Sequence, residues 1–197
     1  GVRDPFVALF STTGTVLWSR CLAGPDPEAA EDVAFDAAGD VAVVGWFWGT
    51  LDFGGGPTTS QGSADAFLVK YSGSNGAYLW SNVWGSPAAD QAQGVAADVD
   101  GSIVVTGTFD AMLDFGAGPL VSSGLFDVFV ARRTVDGGHV WARSFGGAGA
   151  DATGYPLRVA LDGAGGSFVT GRFSDAVDFG AGPVTAAMAD FFLLHLG

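Results

Sequence analysis

The chain has very little cysteine and few basic residues. A single cysteine, Cys21, excludes an internal disulfide, and we predict that it is a small buried residue of a strand. Eight Lys and Arg stand against 21 Asp and Glu, which gives a formal net charge of −13. Because nucleic acids and anionic membrane surfaces are bound through clustered basic residues, the composition argues against both as partners.

Long apolar runs and helical periodicity are also lacking. Hydrophobic residues make up 48% of the 197 residues, yet no run reaches the roughly 18 apolar residues of a membrane span. The 32 glycines follow no collagen triplet, a composition that suits many tight turns between short strands. We therefore predict an all-β protein. Since neither an initiator Met nor a signal peptide opens the sequence, we expect a processed or partial piece of a longer protein.

Sequence motifs of catalysis are equally scarce. The sequence contains no G-x-S-x-G, C-x-x-C or H-E-x-x-H motif, which argues against a serine hydrolase and a zinc site. The two histidines, His139 and His195, stand at positions where other parts of the chain carry different residue types. We interpret them as non-recurring surface residues and predict that the chain is not an enzyme.

The stretch LDFGAGP at 113–119 contains the Asp-Phe-Gly triplet that binds magnesium in protein kinases. A kinase needs this triplet once, together with a Gly-rich loop, a strand lysine and a catalytic loop, and none of these is present. The stretch instead recurs as LDFGGGP at 51–57 and VDFGAGP at 177–183. A motif that returns at a fixed interval indicates architecture rather than phosphoryl transfer.

Other landmarks share this interval of about 62 residues. The repeats run approximately from 4 to 64, 65 to 126 and 127 to 189, with a further strand copy at 190–196, and we treat residues 1–197 as a single repeat region. The recurring positions are the tryptophans Trp18, Trp80 and Trp141, the aspartates Asp4, Asp65, Asp127 and Asp190, and the turn aspartates Asp36, Asp98 and Asp162.

Each period contains four strand-like runs. In the middle unit these are GVAADVDG, SIVVTGTF, DVFVARR and HVWARSF, of which the second is nearly all apolar and is therefore expected to be buried on both faces. Turns follow from Asp98 to Gly101 and at Gly137-Gly138. Tandem four-stranded antiparallel sheets predict a β-propeller. Three repeats are few for a closed ring, so we expect closure by further repeats of the parent chain or by homo-oligomerisation.

The LDFGAGP stretch is predicted to lie in the long connection between the second and third strands. Phe115 would be an apolar plug under the loop, and Asp114 would cap backbone N–H groups. Gly116 and Gly118 would allow unusual backbone angles, and Pro119 would fix the exit of the loop.

These motifs together resemble the SBBP-type β-propeller repeat. The resemblance rests on D-x-F-[VL]-[AV]-[KR], G-x-x-x-W-[SA], V-A-x-D-x-x-G-x-x-x-V-x-G-x-F and [LV]-D-F-G-x-G-P, which recur in order over nearly the whole chain. Such repeats are common in bacterial surface and secreted proteins, notably of myxobacteria. The resemblance implies a propeller fold and an extracellular or cell-surface location, and it implies no reaction.

A weaker resemblance links KYSGSNGAYLW, at 70–80, to the docking motif of quinoprotein propellers. The stretch matches in its glycine and tryptophan and lacks the alanine and aspartate of that motif. With one cysteine, the vicinal pair of such enzymes is excluded.

Calcium is the cofactor that the acidic residues suggest, since it takes six to eight oxygen ligands. One aspartate of each repeat recurs at Asp52, Asp114 and Asp178. One acid also follows each recurring tryptophan by ten residues, at Glu28, Asp90 and Asp151. Each loop offers few carboxylates, and the dense spacing of a dedicated calcium loop is missing. We therefore predict no required cofactor and keep calcium at Asp52, Asp114 and Asp178 as an alternative.

The segment GWFWG at 45–49 is the most aromatic. Trp46 and Trp48 have no tryptophan counterpart in the other units, so they are candidates for stacking against a sugar or peptide, with packing against a neighbouring sheet as the alternative. The leading functional hypothesis is a non-enzymatic interaction or scaffold module of an exported bacterial protein, binding protein or carbohydrate through its loops. A fragment of a quinoprotein-like enzyme and a calcium-stabilised lectin-like propeller are the alternatives.

Overall fold

In the computed structural model, which describes residues 4–152 and 155–197, the chain forms antiparallel β-sheets. All 17 of its regular elements are strands. In chain order they are β1 (Phe6–Phe10), β2 (Val16–Cys21), β3 (Glu28–Phe35), β4 (Val41–Phe47), β5 (Thr50–Asp52), β6 (Pro57–Thr59), β7 (Asp65–Tyr71), β8 (Tyr78–Trp84), β9 (Gln91–Ala97), β10 (Ile103–Asp114), β11 (Pro119–Arg133), β12 (His139–Phe145), β13 (Arg158–Leu161), β14 (Ser167–Phe173), β15 (Ala176–Asp178), β16 (Pro183–Thr185) and β17 (Asp190–Leu196). The prediction of an all-β protein is confirmed.

Four sheets make up the body of the molecule. Sheet I has the order β3-β4-β7-β8, sheet II the order β9-β10-β11-β12 and sheet III the order β13-β14-β17, while β1 and β2 form a two-stranded sheet that we call the N-terminal hairpin. Neighbouring strands in each sheet are antiparallel. Within the described residues β1 pairs with β2 alone, and β17 pairs with β14 alone.

The sheets stack face to face, and an apolar core fills each of the three spaces between them. Because side chains alternate along a strand, the buried second strand of a sheet contributes side chains to the apolar cores on both of its faces. In β4, Val41 and Val43 belong to the core shared with the N-terminal hairpin, whereas Ala42 and Val44 belong to the core shared with sheet II. The prediction that this strand is buried on both faces holds for β4 and β10, while in β14 Phe168 is 39% exposed on the outer face of sheet III.

The first strands of the sheets lie side by side. β9 contacts β3 on one side and β13 on the other, so the inner edges of sheets I, II and III converge. Within the described residues, no helix is long and apolar enough to cross a membrane.

Two predictions about individual segments need correction. Cys21 is the last residue of β2, but its side chain is exposed rather than buried. The LDFGAGP stretch is not a plain loop. In sheet II it is the turn of a hairpin that prolongs β10 and β11, and its counterparts join the separate hairpins β5–β6 and β15–β16. The ladder extends because Met112, Leu113 and Asp114 continue to pair beyond an irregularity at Ala111, where φ is 63°.

Candidate functional site

The three recurring Asp-Phe-Gly aspartates cap backbone amides in their own turns. In each case one carboxylate oxygen accepts hydrogen bonds from the N–H groups two and four residues later. For Asp114 the donors are Gly116, at 2.7 Å, and Gly118, at 3.2 Å. The φ angles of these glycines are +104° and +105°, which a residue with a Cβ rarely adopts. Asp52 and Asp178 make the equivalent pairs of bonds.

The phenylalanine of the same triplet is an apolar plug, as the sequence predicts. Phe115 is buried between Trp84 and Phe129, with ring centroids 5.0 and 4.9 Å away. A buried side chain from the third strand holds the loop over it, since Arg133 donates to the Phe115 carbonyl at 2.7 Å. In sheet I the Tyr71 hydroxyl donates to the Phe53 carbonyl in the same way. The triplet thus fastens a turn to a core.

The structure does not unite Asp52, Asp114 and Asp178 in one site. Among residues 4–152 and 155–197, no group of three or more His, Cys, Asp or Glu side chains is placed to hold a metal ion. Calcium binding stays a prediction from the sequence.

The acids ten residues after each tryptophan are buried loop anchors. Asp90 is fully buried and accepts hydrogen bonds from the N–H groups of Ser86, at 2.7 Å, and Asp110, at 3.3 Å. Asp151 binds Gly147 N–H and Ser174 N–H in the same arrangement. Each carboxylate therefore joins the loop after one sheet's fourth strand to the second strand of the next sheet, at Asp110 within β10 and at Ser174 directly after β14.

Asp90 and Asp151 each interact with an aspartate on a third strand, which is Asp65 at the start of β7 and Asp127 within β11. The charge of Asp65 acts on Asp90, and that of Asp151 acts on Asp127. Burial raises the pKa of Asp65, Asp127 and Asp151, and it raises the pKa of Asp90 to about 6. The sequence alone did not predict that these like charges interact, although the shared period of the two sets of acids was a signal for it.

A second recurring electrostatic contact joins the turn after each first strand to the third strand. Lys70 Nζ lies 2.6 Å from Asp36, Arg132 lies 2.7 Å from Asp98, and His195 lies 3.3 Å from Asp162. Burial alone would raise the pKa of Asp36, but the hydrogen bond from Lys70 and those from backbone amides outweigh it and lower this pKa. His195 is an exposed residue, as the sequence predicts, and it occupies the place that Lys70 and Arg132 hold in the other sheets.

We predict a pH dependence of stability from Asp90. Its proton is held more tightly in the folded chain than in the unfolded chain, so the free energy of unfolding falls as pH rises from about 4 to about 6. A rise in the pKa of Asp90 from 3.8 to about 6 corresponds to a fall of about 3 kcal/mol in the free energy of unfolding over this pH range. Urea unfolding at a series of pH values should show a smaller fall for Asp90→Asn than for the wild type. Asp114→Asn is the control, because the Asn side-chain oxygen can still cap the exposed turn, and its stability should change with pH as that of the wild type does. Parallel pH profiles for wild type and Asp90→Asn would contradict this assignment.

The two tryptophans of GWFWG use their indole N–H groups separately. Trp46 donates to Glu31 at 3.0 Å, and Trp48, which is 44% exposed, donates to Ser63 at 3.0 Å. Trp46 lies on the face of β4 that points towards sheet II, next to the convergent inner edges.

A concavity of about 300 Å³ lies at these inner edges. Its lining includes Glu31 from β3, Gln91 and Gln93 from β9, Tyr155, and Arg158 from β13. Hydrogen bonds hold both the side chain and the backbone of Gln93. Its side-chain oxygen accepts from Leu157 N–H at 3.0 Å, and its backbone carbonyl accepts from the Arg158 guanidinium at 3.1 Å. The half-exposed Tyr155 ring packs under Arg172, 4.9 Å from its centroid.

This concavity is a candidate binding site. It combines an aromatic ring, two amides and one charge of each sign, which suits a neutral polar ligand. Trp46 does not line the concavity, although its indole N–H donates to Glu31, which does. The lining could not be predicted from the sequence, because Glu31, Gln91 and Arg158 lie on first strands of three different repeats. No protein-family model matches the chain, and a search of curated proteins finds no match.

Proposed function

We propose that the chain forms blades of a β-propeller and acts as a non-enzymatic interaction module. The proposal is supported by the stacking of antiparallel four-stranded sheets with their first strands side by side, the arrangement found around a propeller axis. It is also supported by the recurring aspartates, whose carboxylates bind backbone amides of the turns and loops. Export by a bacterium rests on the resemblance to SBBP-type repeats.

The single observation that carries a binding role is the polar and aromatic concavity beside β9. We propose that it binds a carbohydrate, whose ring would stack on an aromatic side chain while amide and charged groups bind its hydroxyls. Gln93 and Tyr155 are held by Leu157 and Arg172, so the lining is ordered before a ligand arrives, which lowers the entropic cost of binding.

Screening on an oligosaccharide array, followed by calorimetry with the best binder, tests the proposal. Tyr155→Ala and Gln91→Ala should each weaken binding at least about tenfold, equivalent to about 1.4 kcal/mol. Val99→Ala, at the exposed turn beyond the opposite end of β9, is the matched control and should bind as the wild type does. A carbohydrate bound equally well by all three variants, or an array without binding, would rule out this site as a carbohydrate site.

A further inference from the structure

Two pairs of buried aspartates each lie on one short stretch of loop. In the first pair, the Asp65 carboxylate lies against the backbone of Gly85, where a Cβ would collide with it, and Asp90 accepts the N–H of Ser86 at 2.7 Å. The Asp90 N–H donates to the Ala64 carbonyl at 2.7 Å, directly before Asp65. The two carboxylates therefore occupy neighbouring positions, in a place that only a glycine leaves open.

The second pair repeats this arrangement one repeat later. The Asp127 carboxylate lies against Gly146, whose Cβ would collide with it, and Asp151 accepts the N–H of Gly147 at 2.9 Å. The Asp151 N–H donates to the Phe126 carbonyl at 2.6 Å, directly before Asp127. Because the same four contacts occur in two repeats, the paired carboxylates are a constructed feature of the fold.

In each pair one carboxylate oxygen is buried without a hydrogen-bond partner. Oδ2 of Asp65 accepts from Gln61 N–H at 3.0 Å, and Oδ2 of Asp127 accepts from Ser123 N–H at 2.8 Å. Oδ1 of both aspartates is buried and accepts no hydrogen bond in the structure, and neither residue is more than 1% exposed. A buried carboxylate oxygen without a partner is costly, and a bound cation would remove that cost.

No basic side chain balances the charge of either pair. The ion pairs among the described residues all join a basic side chain to an aspartate in the turns between first and second strands, and none of them includes the paired aspartates. The other charges that act on the second pair are those of Asp110, on Asp127, and Asp175, on Asp151. Two buried negative charges require a cation or a proton between them.

We propose that each pair binds one calcium ion, between the carboxylates of Asp65 and Asp90 and between those of Asp127 and Asp151. The ion takes Oδ1 of Asp65 or Asp127 as its free ligand. Two carboxylates balance the charge of Ca²⁺ and offer at most four oxygens, so loop carbonyls and water complete the six to eight that it takes. Ca²⁺ fits a buried pair better than Mg²⁺, which retains several waters.

These sites differ from the Asp-Phe-Gly turns, where Asp52, Asp114 and Asp178 are exposed and cap their own backbone amides. Asp90 and Asp151 already join the loop after one sheet to the next sheet, so an ion on the same carboxylates would strengthen the contact between sheets. The inference does not rest on the proposed carbohydrate site.

Calorimetric titration of the chelator-treated chain with CaCl₂ at pH 7 tests the proposal. Asp65→Asn and Asp127→Asn should each lower the number of bound calcium ions by one, because Asn keeps an oxygen for the backbone N–H but has no charge. Asp114→Asn is the matched control and should leave the number unchanged. A wild-type chain that binds no calcium would overturn the proposal, and so would loss of an ion in Asp114→Asn alone.

The pH dependence of wild-type binding decides the question without any variant. Burial raises the pKa of Asp90 to about 6, so protons compete with calcium below that pH. Binding should be about tenfold weaker at pH 5 than at pH 7, whereas exposed carboxylates stay ionised over this range. Equal affinity at both pH values would place the ion on exposed acids. A melting temperature that calcium leaves unchanged at pH 7 would show that the pairs hold protons instead, and either result contradicts the proposal.

Discussion

Replacing Gly107 with alanine is expected to lower the free energy of unfolding by at least about 4 kcal/mol, among the largest effects that single substitutions cause. A Cβ at this position would lie 2.0 Å from the Gln91 carbonyl oxygen and 2.6 Å from the Phe129 ring. Real Cβ atoms do not approach that closely, so a strand would have to move. The close approach arises at an irregularity in the ladder between β9 and β10, next to Gly107.

Chemical denaturation monitored by tryptophan fluorescence measures this effect. Gly118→Ala is the matched control, since its φ is +105° but no heavy atom lies within 4 Å of its Cβ position. It should cost only the backbone strain of about 1–2 kcal/mol. The same close contact recurs at Gly45 of sheet I, 1.9 Å from the Ala29 carbonyl oxygen. If Gly107→Ala were no more destabilising than Gly118→Ala, the pairing of β9 with β10 would be wrong.

Replacing Trp80 with alanine is expected to lower the free energy of unfolding by about 3 kcal/mol, the lower end of the range for large aromatic side chains, because the residue is only partly buried. The ring packs against the core between sheets I and II and covers Gly137, whose Cβ would lie 2.9 Å from it. Its indole N–H donates to the Val135 carbonyl at 3.1 Å. Apolar burial and one hydrogen bond between sheets are lost together.

The neighbouring residue provides the control. Leu79 lies on the same strand but points outwards and is 43% exposed, so Leu79→Ala should cost below about 1 kcal/mol. Both variants are compared with the wild type by urea denaturation at pH 7. A loss below about 1 kcal/mol for Trp80→Ala would show that contacts between sheets do not depend on the recurring tryptophan.

Much of the fold could be predicted from the sequence because its turns are local. Asp98 and Gly101 close a turn through their own backbone, with the Gly101 N–H donating to the Asp98 carbonyl at 3.0 Å, and φ of Gly101 is +81°. The capping by Asp114 involves donors only two and four residues away. Such contacts follow from residue type and spacing, so the pattern predicted them correctly.

Contacts between different sheets were harder to predict. The anchoring role of Asp90 depends on the backbone N–H of Asp110, 20 residues later, and its raised pKa depends on burial. The ion pair of His195 with Asp162 joins residues 33 positions apart. Cys21 was expected inside because cysteine is usually buried, but it lies on an edge of the N-terminal hairpin that no other strand among the described residues covers.

The sequence by itself determined the four main strands of each repeat, their antiparallel order and the turns between them, because side-chain alternation and turn chemistry act over a few residues. Only the tertiary structure decided which residues meet at the inner edges. Gln93 and Arg158 come together there through a backbone hydrogen bond across 65 positions. It also decided that Phe6–Phe10 and sheet I line one apolar groove among the described residues, because the stacking of one sheet on the next is not specified by any local pattern.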